Sequence, residues 1–135
     1  MGGWYTIGIF AGLGTAIGVA ATGVLRRALF GLAAAAVVSA AIGLVFSGFG
    51  EAAGGIVGAA CGSLGSSPLI AGALRRGGTR GGTAVLLALV ALAGAGLAFV
   101  PVAGYLEAAA VPVLGLRLRR RSPERHAGLR TLARD

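Results

Sequence analysis

The chain has no lysine and no asparagine, one cysteine, one histidine, one tryptophan and four acidic residues in 135. Each scarcity removes a class of explanation. A lone Cys61 inside an apolar stretch gives neither a disulfide framework nor a CxxC metal or redox motif. His126 stands near the C-terminus with only Glu124 at ligand spacing, so no metal site is expected. No GxSxG, P-loop or HExxH occurs, and no carboxylates are paired as a hydrolase requires. The expectation is a chain without catalytic residues, metal or cofactor, and not an enzyme. Aromatics make up 6% of the residues and none is interleaved with the basic clusters, which argues against nucleic acid as a partner.

Charge of either sign is also scarce. Charged residues are 12% of the chain and hydrophobic residues 56%, whereas a soluble domain carries about a quarter charged residues. The cations are all arginine, and twelve of them against four acids give a net charge of +8. They occur as Arg26 and Arg27, as Arg75, Arg76 and Arg80, and as a tail group from Arg117 to Arg134. Long uncharged apolar runs separate these clusters, which is the layout of a polytopic membrane protein. Anionic lipid headgroups are therefore the expected counterpart of the arginines, Arg117, Arg119, Arg120 and Arg121 foremost.

Glycine is abundant, and in one stretch its placement is ordered. Residues 51–74 read EAAGGIVGAACGSLGSSPLIAGAL, long enough at about 1.5 Å per residue to span a hydrocarbon core of about 30 Å. At roughly 100° per residue, Gly54, Gly55, Gly58, Gly62, Gly65 and Gly72 fall within an arc of about 100°. Ile56, Val57, Leu64 and Leu74 lie on the other side. A GC-rich coding sequence accounts for abundant Ala, Gly and Arg, but not for this confinement. The pattern is that of small residues at a membrane-helix interface, and it makes 51–74 the expected organising element.

The other runs are delimited by hydropathy and breakers. Residues 4–25 form an apolar anchor with Trp4 and Tyr5 at its outer end, and the Arg pair follows rather than precedes it, so an uncleaved segment with its N-terminus outside is expected. Its two GxxxG pairs, Gly8 with Gly12 and Gly14 with Gly18, face different directions and suit neighbours on two sides. Residues 28–49 form the second run, closed by a tight turn at Ser47-Gly48-Phe49-Gly50. Pro68 should kink the third run, with Ser63, Ser66 or Ser67 satisfying the carbonyls it frees. Residues 74–82 read as a flexible basic loop. Gly-x-Leu-Arg-Arg recurs at 23–27 and 72–76, a faint echo of a duplicated hairpin.

The stretch from Thr83 to Leu116 is too long for one crossing, and Pro101 with Gly104 brackets a turn. Splitting it into 83–99 and 104–120 gives five segments and places all twelve arginines on one side; four crossings would divide them seven and five. The fifth segment is short in apolar residues, so arginines must snorkel or it is a re-entrant half-helix. The fold class expected is all-α: a polytopic transmembrane bundle over residues 1–121, with a basic juxtamembrane tail at 122–135. The expected place is the cell membrane, multi-pass, with a cytoplasmic C-terminus. In the tail, Ser122-Pro123-Glu124 reads as a helix opening whose leucines rest on the bilayer, or the tail is simply solvated.

Two acids are left in the apolar region. Glu107 is costly there and is the foremost candidate for a proton carrier or cation ligand, unless it sits shallowly in the headgroup layer. Glu51 lies within the glycine arc and either shares a cation-attracting mouth with Glu107 or caps its own helix. With Ser63, Ser66 and Ser67 they form the candidate polar or transport site. The first run carries no acid, unlike small multidrug transporters, and the missing asparagine excludes the fluoride-channel signature. Two functional expectations remain: a non-catalytic packing and assembly module, with itself or another membrane protein as partner, or a small channel or transporter.

Overall fold

Long runs of Ala, Leu, Val and Gly that must satisfy their backbone groups without water have one local solution, the helix. In a computed structural model, which describes residues 3–25, 27–46, 48–100 and 102–121, five helices succeed one another. They are α1 (Gly3–Val24), α2 (Ala28–Phe46), α3 (Phe49–Arg75), α4 (Arg80–Leu97) and α5 (Ala103–Arg121). The fold is an all-α bundle, and α1 to α4 are each long and apolar enough to cross a membrane.

The connections are tighter than the sequence suggests. α2 ends at Phe46, not at 49, and Phe49 and Gly50 already belong to α3. Gly48 makes this possible: its φ of 126° is open only to glycine, and its N–H reaches back 2.9 Å to the Gly43 carbonyl. The expected basic loop from 74 to 82 shrinks to residues 76–79. α3 closes there with Gly77 at φ 84°, Gly77 N–H on the Leu74 carbonyl at 3.2 Å and Gly78 N–H on the Ala73 carbonyl at 3.0 Å. That paired closure satisfies two of the last carbonyls of α3 and needs a left-handed residue where Gly77 stands. Thr79 then caps α4, its hydroxyl accepting from Gly82 N–H at 3.2 Å, so Gly81 and Gly82 sit inside a helix.

Successive helices alternate in direction, so α1, α3 and α5 run parallel. Along the α1–α3 seam Gly54 lies against Ile7, Gly58 against Ala11 and Gly62 against Thr15, in ascending register. All connections between helices are short, and the chain ends of α1, α3 and α5 fall together. Arg27, Arg75, Arg76, Arg80 and the arginines closing α5 thus occupy one end of the bundle, and Trp4, Phe46, Glu51 and Phe99 the other. α5 is a continuous helix rather than a re-entrant half-helix: Gly104 meets Gly8 near the start of α1, and Gly115 meets Gly65 far along α3. Its apolar part, 103–116, is only about 21 Å long.

α1 and α3 form a joint hub, and their mutual seam is the most extensive in the bundle. α1 packs on all four other helices, and α3 packs on α1, α2 and α5 while scarcely touching α4. The stretch 51–74, the expected organising element, shares that place with α1. A helical wheel gives directions, but α1 presents small residues on several sides and can therefore be approached from several sides. Ala16 and Val19 of α1 meet Leu87 and Ala91 of α4 in the core cluster, with Ile70 and Val111 packed against it. Bulky apolar residues point outward instead, among them Phe30, Val45, Leu64, Leu86 and Leu92. The outer surface is thus apolar and the interior is made of small residues, the inverse of a water-soluble domain.

Candidate functional site

The expected glycine strip is buried in part and divided among three neighbours. Ideal Cβ atoms built on Gly58 and Gly62 would collide with the carbonyl oxygens of Ala11 and Thr15, and on Gly14 and Gly18 with those of Gly55 and Ala59. α1 and α3 therefore meet backbone to backbone, reciprocally, at a separation only glycine permits. Gly54 adds a 2.9 Å approach to the Ile7 carbonyl, and Gly55 turns aside to the Ser39 carbonyl of α2 at 3.0 Å. Gly65 meets α5, where Val111 Cγ1 lies 2.6 Å from a built Cβ. Gly72 departs from the expectation: the nearest atoms to its built Cβ belong to Arg76, one turn on in the same chain segment, so it packs on no other helix. On α1, Gly8 and Gly12 face Tyr105, Ala98 and Gly104, while Gly14 and Gly18 face α3, two sides as the spacing requires.

The serines of α3 are all engaged. Pro68 lacks the N–H that the Leu64 carbonyl would accept, and Ser67 Oγ donates to that carbonyl at 3.0 Å. Ser66 donates to the Gly62 carbonyl at 2.7 Å and lies 2.5 Å from Thr22 Oγ of α1. Ser63 donates across the seam to the Gly18 carbonyl at 3.3 Å. Ser63, Ser66 and Thr22 are buried. One proton joins Ser66 to Thr22 and the other hydroxyls donate to backbone carbonyls, so these groups staple helices and repair the proline step rather than form a polar path.

The two carboxylates occupy different seams. Glu51, in the first turn of α3, accepts a 2.8 Å hydrogen bond from Thr6 Oγ1 of α1. It thereby combines a helix-start position with a cross-helix bond. Glu107 projects from α5 toward α4, its carboxylate oxygens 3.7 and 3.8 Å from a Cβ built on Gly94, and no hydrogen bond joins it to the described residues. The seam between α4 and α5 is one of the loosest in the bundle. Nothing brings Glu51, Glu107 and the serines into one cluster. Among the described residues no group of three His, Cys, Asp or Glu side chains could hold a metal.

Arg117, Arg119 and Arg120 are exposed at the basic end, beside the backbone of Arg121. The tail at 122–135, with His126 and the expected Ser122 helix opening, lies outside the described residues, as do Ser47 and Pro101 of the two expected turns. Several polar residues carried no signal in the sequence. Thr6 and Thr22 sit among apolar neighbours at ordinary spacing, and only the packing of α1 on α3 pairs them with Glu51 and Ser66. Tyr105 Oη donates to the Trp4 carbonyl at 2.6 Å and Tyr5 Oη to the Phe99 carbonyl at 2.8 Å, tying the start of α1 to the α4–α5 turn. Ser39 Oγ, buried at the α2–α3 contact, has no partner among the described residues. No known protein family, no curated protein and no solved structure matches the chain.

Proposed function

We propose that this chain is a small multi-pass protein of the cell membrane whose helical bundle serves as a non-catalytic packing and assembly module. The C-terminus and the arginine-rich end face the cytoplasm, where anionic headgroups hold Arg117, Arg119, Arg120 and Arg121. One observation carries the reading: the backbone-on-backbone seam of α1 and α3, a glycine zipper built from Gly14, Gly18, Gly58 and Gly62. Its glycines are consumed within the chain, so the seam makes a stiff post rather than a sticky surface. Assembly with a second copy or another membrane protein falls to the outward faces of α2 and α4. The full chain in lipid nanodiscs, measured by mass photometry, should exceed the mass of one copy. A strictly monomeric particle that also recovers no membrane protein on purification counts against the module. A reporter fused to the C-terminus should read cytoplasmic, and an external reading reverses the orientation.

A transport reading is favoured by Glu107 alone. Its carboxylate stands beside Gly94 without a described protein donor, in a loose seam, where a proton or small cation would find an unpaired charge. Liposomes carrying the parent chain should then pass protons or monovalent cations faster than those carrying Glu107→Gln. Equal, background-level flux in both removes this reading and leaves the packing module standing.

A further inference from the structure

α3 and α4 are joined by four residues yet scarcely touch, and between them, over α1, a crevice of about 80 Å³ is left at the arginine end. Three helices line it: Thr22 from α1, Ser67, Ile70 and Leu74 from α3, and Arg80 with Thr83 from α4. Its size excludes a drug-sized ligand, whose pocket starts at about 300 Å³, and matches a few waters at about 30 Å³ each or one compact polar group. Its lining is more selective than its size. Two of the hydroxyls spend their protons on their own helices, Ser67 on the Leu64 carbonyl at 3.0 Å and Thr83 on the Thr79 carbonyl at 2.9 Å, while Thr22 is taken up by Ser66 Oγ and the carbonyls of its own helix. Toward the crevice Ser67 and Thr83 therefore offer acceptor lone pairs only. Arg80 is exposed at the rim and supplies donors and positive charge. The ligand must therefore carry an anion for Arg80 and, joined to it, donors for the hydroxyl oxygens. Ile70 and Leu74 supply an apolar wall for the hydrocarbon attached to such a group.

We infer that this crevice binds the headgroup of a phospholipid in which a phosphate is joined to a hydrogen-bond donor, as in phosphatidylethanolamine or phosphatidylglycerol. The phosphate sits on Arg80, and the ammonium or glycerol hydroxyls donate to Ser67 and Thr83. The acyl chains leave along the apolar wall. The inference rests on the bilayer placement proposed above. Phosphatidylcholine has the same phosphate but no N–H or O–H donor, which makes it the matched control.

The test uses the full chain, delipidated in detergent, with each lipid titrated and bound stoichiometry read by native mass spectrometry. Phosphatidylethanolamine and phosphatidylglycerol should each bind one per chain, about tenfold tighter than phosphatidylcholine. Arg80→Gln should lose about tenfold in affinity for all three. Arg27→Gln, which removes an equal charge at the same end and lies outside the crevice lining, should leave binding unchanged. Should Arg80→Gln fail to fold, Thr83→Val keeps the charge and should narrow the preference over phosphatidylcholine. Equal binding of all three lipids, or equal losses in Arg80→Gln and Arg27→Gln, overturns the inference. Displacement of the lipid by equimolar inorganic phosphate or phosphoethanolamine also overturns it, since a soluble phosphate would then be the ligand. Alkaline carbonate extraction separates the two levels. A chain released by carbonate defeats the bilayer placement itself, whereas a retained chain without lipid preference defeats only the crevice.

Discussion

Gly58 lies so close to the carbonyl of Ala11 that a methyl group on its Cα would fall well inside van der Waals contact with the oxygen. Both atoms belong to backbone, so neither can swing aside. Gly58→Ala should therefore cost about 1–3 kcal/mol, and Gly58→Leu more, by forcing α1 and α3 apart. Gly72→Ala, in the same arc of the same helix, should be neutral or stabilising by up to about 1 kcal/mol, because its built Cβ meets no other helix. Thermal unfolding in detergent measures both. Equal losses at the two positions would mean that the whole arc, rather than its part facing α1, is packed.

The bond from Ser67 to the Leu64 carbonyl compensates for Pro68. Ser67→Ala alone should cost about 1 kcal/mol by orphaning that carbonyl. In a Pro68→Ala background the restored N–H takes the carbonyl back, and Ser67→Ala should then cost little. A double-mutant cycle reads the coupling, and additive effects would show that the serine serves something else.

Val102, in the α4–α5 turn, has φ 71°, where a β-branched residue is strained. Val102→Gly should raise stability by about 1 kcal/mol through release of that strain. A loss of stability in the same unfolding assay would show that the side chain, although exposed, holds the turn.

Trp4 is the sole tryptophan and lies at the junction that Tyr5 and Tyr105 hold closed. Tyr105→Phe keeps the ring over Gly8 and removes only the 2.6 Å bond to the Trp4 carbonyl. It should cost about 0.5–1.5 kcal/mol, and Trp4 fluorescence should report local opening before global unfolding. Coincident transitions in parent and variant would show that the two tyrosines add nothing separable.

Much of the fold was legible because it depends on properties read along the chain. The apolar runs, the arginine clusters and the break near Pro101 place five helices and put the described arginines at one end. The direction of the glycine arc was legible too, since Gly58 and Gly62 do face inward. What a wheel lacks is the position of the neighbour along the axis. Gly62 meets α1 and Gly65 meets α5, although both point within one arc, and Gly72 lies past the last contact. That α1 shares the hub role with α3 was hidden for the same reason. Thr6 for Glu51, Thr22 for Ser66 and Gly94 for Glu107 are pairings between helices, and no local spacing encodes them. Of the candidate polar residues, the sequence identified types that do something, but it did not reveal that the serines had already given away their protons.

The centrality of α1 has a consequence for how the molecule is made. A ribosome delivers residues 3–24 before the other four helices, and this helix carries Thr15 and Thr22 on surfaces meant for companions that do not yet exist. In the bilayer placement proposed above, the nascent post would stand among acyl chains with its narrow, polar-flecked flanks uncovered until α3 is inserted. The interval between those two insertions is the window in which a membrane insertase or a quality-control protease would meet the chain, and in which pausing translation would matter most.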